Sequence, residues 1–95
     1  MKLNLKVTYD DSSTVPVKVG MVDFVAFERE HNKSIQDYFN NWNVSDTCFL
    51  AWHALSRTDK NTPEFLQWVE NVDEITTADV EADPVPLESS PTTSN

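Results

Sequence analysis

A histidine, a serine and an aspartate stand close together at His53, Ser56 and Asp59. These are the residue types of a base, a hydroxyl nucleophile and an orienting carboxylate. The apolar spacing around them reads as one helix. Side chains on, or just past, a single helix cannot converge into the line that such a triad needs. Cys48 and His53 are both metal-ligand types. Five residues along a helix turn the side-chain direction by about 500°, so the two point roughly 140° apart and one ion could not take both. His31 would be a third donor on another element, and no CxxC or HxxxH spacing supports a site. Cys48 therefore reads as a structural thiol, since free cysteine is commonly buried. The carboxylate pairs Asp10–Asp11 and Asp73–Glu74 read as solvated charge, the first in a turn and the second at the start of a tail. The single glycine, Gly20, excludes a glycine-rich phosphate loop. No enzyme, cofactor or metal site is expected.

Charge narrows the partners. Sixteen acidic residues against seven basic ones give a formal net charge of -9 and a pI near 4.3. The cations are scattered along the chain, whereas a nucleic-acid surface gathers them to displace counterions from phosphates. The same balance repels an anionic membrane. Cys48 alone allows no internal disulfide. The first residues, Met1 to Lys6, form no apolar signal region, and no stretch approaches the roughly 20 apolar residues of a membrane span. These features predict a soluble, cytoplasmic, single-domain protein.

Aromatic content is the unusual feature. Three Trp, five Phe and two Tyr all fall within the first 68 residues. A domain this small hides only part of such a load. Phe24, Phe49 and Trp52 are assigned to the core. Tyr38, Trp42, Trp52, Phe65 and Trp68 are the candidate partner-binding residues, because Trp and Tyr are favoured interface anchors. The helical face near Trp42, Trp52 and Trp68 is the expected contact surface.

The elements that must position them read as α+β: an N-terminal β-hairpin, then three to four short α-helices, then a disordered acidic C-terminal tail. Leu3, Leu5, Val7 and Tyr9 alternate with polar residues, and Val15, Val17 and Val19 resume the period after Asp10-Asp11-Ser12-Ser13. Pro16 marks an edge strand. A helix is expected from Val22 to His31, with Asn32 in the left-handed position after it. Ser34 caps a second helix carrying Ile35, Tyr38 and Phe39. Ser45 is expected to cap a third, the apolar run through Phe49, Leu50, Trp52, Ala54 and Leu55. Thr62 and Pro63 are expected to open a fourth, with Phe65, Trp68, Val69 and Val72 on one face. The segment from Asp73 on holds Asp73, Glu74, Asp79, Glu81, Asp83 and Glu88 with no Lys or Arg, and most of the prolines. It is assigned as disordered tail beyond about Thr77, with Ile75 free to dock. The domains are thus 1–75 and 76–95.

Three blocks stand in order: Ala26-Phe27-Glu28-Arg29 running to Lys33-Ser34-Ile35, Leu50-Ala51-Trp52-His53-Ala54-Leu55-Ser56-Arg57, and Phe65-Leu66-Gln67-Trp68. Following a short hairpin and preceding an acidic tail, they resemble the tail assembly chaperones of long-tailed, siphovirus-like bacteriophages, over about Leu3 to Ile75. Two departures stand out. His31-Asn32 occupies a place where family members often have Gly, and the strand after the fourth helix is not distinct. The resemblance implies a protein that binds the tape measure protein, keeps it soluble and helps recruit major tail tube protein around it. It implies action in the host cell cytoplasm and absence from the mature virion. In the family a ribosomal frameshift near the end of the gene often makes a longer form. The rival readings are an acidic early phage protein that inhibits a host factor, by DNA mimicry for instance, and a structural tail component. A second copy of the chain is kept open as a partner.

Overall fold

The computed structural model describes residues 2–81, and residues 79–81 by their backbone only. It is an α+β structure: β1 (Lys2–Tyr9), β2 (Thr14–Val19), α1 (Met21–His31), α2 (Ile35–Asn40), α3 (Val44–Thr58), α4 (Phe65–Glu70) and β3 (Val72–Glu81). Among these residues no helix is long and apolar enough to cross a membrane.

The hairpin follows from its period. Leu3, Leu5 and Val7 are buried, and they pair across to Val19, Val17 and Val15. Lys6 pairs with Pro16 on the opposite, wet face. The turn closes locally. The Asp11 carboxylate accepts from the Ser13 amide at 2.9 Å and hydroxyl at 2.6 Å, and Ser12 adopts φ 74°. Short polar side chains make such turns by bonding nearby backbone. Pro16 lies on an edge, since the sheet order is β2-β1-β3.

The third strand is a correction to the sequence reading. Val72, expected on the fourth helix, opens β3, and the domain boundary drawn at residue 76 falls inside that strand. β3 pairs antiparallel with β1 from Tyr9↔Val72 to Lys2↔Glu81, making β1 the central strand. The remainder of the expected disordered tail, residues 82–95, lies outside the described residues.

The helices cover one face of the sheet. Gly20 precedes α1, and Asn32 ends it in the left-handed conformation at φ 53°. Ser34 caps α2, its hydroxyl accepting from the Asp37 amide at 3.1 Å. Two caps differ from expectation. Asn43, not Ser45, caps α3: it is extended, and its Oδ1 accepts from the Asp46 amide at 2.9 Å, which puts Ser45 inside the first turn. Glu64 precedes α4. Thr62 lies two residues before that position and does not cap it; its hydroxyl donates to the Asp59 carbonyl at 2.8 Å in the turn after α3. Leu50, Ala51 and Ala54 of α3 join Phe24 and Phe27 of α1, Tyr38 of α2 and Trp68 of α4 over Leu3, Leu5, Val7, Val17 and Val19.

Candidate protein-docking groove

α1 and α3 are fastened together at one buried charge. Asp23, in the first turn of α1, is 0% exposed. Its Oδ2 accepts from the Gly20 amide at 2.8 Å, the helix-start bond that a carboxylate at this position favours. The other partners come from α3. Arg57 Nε and Nη2 donate at 3.0 and 2.7 Å, and His53 Nδ1 lies 2.6 Å from Oδ1. Burial by itself would raise the carboxyl's pKa. The hydrogen bonds from Arg57, Gly20 and His53, with the Arg57 charge, outweigh it and hold the group below its ordinary value.

Beside this fastening runs an open groove of about 580 Å³. Val22, Val25 and Ala26 of α1 form one wall, and Phe49, Trp52 and His53 of α3 the other. Arg29 and Glu30 bring charge of both signs to it. Val22 and Val25 are 59% and 46% exposed although both are apolar and one helical turn apart. α1 thus has two apolar faces. Phe24 and Phe27 point to the core and Val22 and Val25 do not.

An aromatic hub builds the α3 wall. The Phe49 ring lies 4.7 Å from that of His31, 6.0 Å from that of Trp52 and 6.4 Å from that of Phe65. Trp52 meets Phe65 edge-on at 5.5 Å, and its Nε1 donates to the Pro63 carbonyl at 2.8 Å. Each such ring pair contributes about 0.5–1.5 kcal/mol beyond its buried area.

The predicted anchor residues divide. Trp52 and Phe65 are half-buried about the groove and its backing. Phe49, assigned with Trp52 to the core, is also only half-buried. Trp42 is 50% exposed, but it borders a different hollow on another face of α3, with Val44 and Cys48. Tyr38 and Trp68 are corrections: they are 1% and 3% exposed and offer no docking surface. Tyr38 hydroxyl is 2.6 Å from Thr47 Oγ1, and Trp68 Nε1 donates to Tyr9 hydroxyl at 3.1 Å. Each amphipathic ring found a polar partner on another element, which removes the main cost of enclosing it. No single face unites Trp42, Trp52 and Trp68.

Sequence reasoning missed Asp23, Val22 and Val25. Asp23 gave one signal, a carboxylate three residues after the break at Gly20; its partners thirty or more residues away gave none. The structure also separates the residues first weighed for chemistry. His53 is oriented by Asp23 rather than Asp59, and the Asp59 carboxylate bonds the Asn61 amide at 2.9 Å. The Ser56 hydroxyl is enclosed without a hydrogen-bond partner among the described residues. Cys48 faces the Trp42 hollow and His53 the groove, so the two diverge around α3. Burial raises the Cys48 thiol above its ordinary pKa. Among the described residues no group of three or more His, Cys, Asp or Glu could hold a metal ion. Compared with protein-family models, curated proteins and solved structures, the chain matches none.

Proposed function

We propose that the chain is a tail assembly chaperone of a long-tailed phage, which holds an apolar helical segment of the tape measure protein in the α1/α3 groove. The observation that carries this reading is the pair of exposed valines, Val22 and Val25, facing Phe49 and Trp52 across an open channel. An amphipathic helix lays an apolar face into such a channel through anchors one turn apart. The mixed charge of Arg29 and Glu30 tolerates many client sequences while keeping the rim wet.

The three blocks of the resemblance support the same reading, because they meet here. The first runs from α1 to the start of α2, the second lies on α3 and the third on α4, whose Phe65 backs Trp52. A strand also follows α4, as in the family. On this reading the protein works by binding rather than catalysis. It acts in the host cytoplasm, keeps the client soluble while tail tube subunits gather, and is absent from the finished virion. The net charge of -9 opposes aggregation of the loaded complex.

Co-expression with the tape measure protein of the same phage tests it. The client should appear in the soluble fraction with the chain and co-purify with it. A client equally insoluble with and without the chain defeats the proposal.

A further inference from the structure

We infer a second docking site, independent of the groove. The hollow beside Trp42, together with the open edge of β3, takes an extended segment of another protein that sets one apolar side chain next to Lys or Arg. The hollow measures about 300 Å³, with Trp42, Val44, Cys48 and Ile75 among its walls. Trp42 and Val44 leave much of their apolar surface in water, and these are the exposed rings and methyls that a partner's anchor would cover.

The edge itself bounds the hollow. Successive strand residues point to opposite faces, yet Val72, Asp73, Glu74 and Ile75 all border it. Consecutive residues share a hollow where it runs along the strand's side, and the irregularity in register at Asp73 breaks the alternation further. β3 bonds β1 on one side, and among the described residues no strand pairs with it on the other. Between the two irregularities lies a regular run, Glu74–Thr77, whose outward main-chain groups are available for strand addition.

Charge selects the occupant. Asp73 and Glu74 are exposed, and no described residue forms an ion pair with either. β3 carries Asp73, Glu74, Asp79 and Glu81 and no Lys or Arg, so a second copy laid antiparallel on it brings no cation to Asp73 and Glu74 in any register. A segment bearing Lys or Arg complements them, while its apolar neighbour enters between Trp42 and Ile75.

The test uses the full chain and a fluorescein-labelled peptide of alternating lysine and leucine, with the glutamate–leucine peptide beside it. The lysine peptide should bind saturably, and alternate amides of Glu74–Thr77 should exchange several-fold more slowly in the complex. The glutamate peptide should not bind. Asp73→Asn with Glu74→Gln should weaken binding roughly tenfold, the worth of two partly exposed ion pairs. Val25→Glu, which obstructs the α1/α3 groove, should leave it unchanged. Equal binding of both peptides overturns the inference. So does lysine-peptide binding without protection of β3. So does protection of the same outward amides in the free chain, which would mean that a second copy or residues 82–95 already hold the edge.

Discussion

Arg57 grips Asp23 with both Nε and Nη2, across 34 residues of sequence. The carboxylate is enclosed, while the guanidinium remains partly in water. This clasp sets the spacing of α1 and α3, and so the width of the groove between them. The groove is therefore already formed in the isolated chain, and on the proposed reading this lowers the ordering cost of binding a client.

Removing the carboxylate should be expensive. Asp23→Ala leaves the Gly20 amide and His53 without their acceptor and takes from Arg57 both of its carboxylate bonds. A fully enclosed pair would lose about 3–5 kcal/mol, but Arg57 can turn to water, so roughly 2–3 kcal/mol is expected. Urea unfolding of the variant measures it. A loss within experimental error of zero would show that the clasp does not hold the two helices.

Acid should weaken the fold through the same residue. Asp23 and Asp46 both have pKa values below the ordinary one. For Asp46, burial pushes the pKa up, and the hydrogen bonds from Lys33 and Asn43 more than reverse that. A carboxyl depressed in the folded state binds protons more readily when unfolded. Its contribution is whole above the unfolded pKa of about 3.9 and is lost as pH falls below that towards the folded values. Stability measured from pH 6 down to pH 2 should be level in these two groups at first and decline below about pH 4. Asp23→Asn should make that decline shallower.

Val25→Glu should separate binding from folding. Val25 is 46% exposed and its wall of the groove is apolar. A surface change of this kind stays within about 0.5 kcal/mol of the parent stability. Client co-purification should fall sharply. Retained capture would mean that the client sits elsewhere.

Trp52→Ala tests the aromatic wall. The ring is half-buried and bonds Pro63, so the cost should be roughly 2–3 kcal/mol, less than the 3–5 kcal/mol typical of a sealed aromatic. The variant should fold at low temperature and bind client poorly. Complete unfolding at every temperature would return Trp52 to the core.

Tyr38→Phe should cost about 1 kcal/mol, the worth of one buried hydroxyl bond, since Thr47 also donates to the Asn43 carbonyl. Client capture should not change. A binding defect at unchanged stability would restore Tyr38 as a contact residue.

Much of the chain was legible as sequence because its causes are local. Alternation of Leu3, Leu5 and Val7 against Lys2 and Lys6 set the hairpin faces. Gly20, Asn32 and Ser34 marked helix boundaries, since caps and turns are made by bonds spanning three or four residues. β3 escaped because its own residues carry little apolar period: Asp73, Glu74, Thr76 and Thr77 surround Ile75, and β1 supplies the pairing that makes them a strand. Tyr38 and Trp68 escaped for a related reason. Burial of an amphipathic ring depends on whether a distant hydroxyl meets its polar end, and Thr47 and Tyr9 did so. Sequence alone determined the α+β pattern, the acidic balance and the excess of aromatic side chains. Only the tertiary structure decided which of them face outward, because that choice belongs to groups on separate elements: Thr47 and Tyr9 meeting the polar ends of Tyr38 and Trp68, and Arg57 and His53 of α3 meeting Asp23 of α1 beside Phe49 and Trp52.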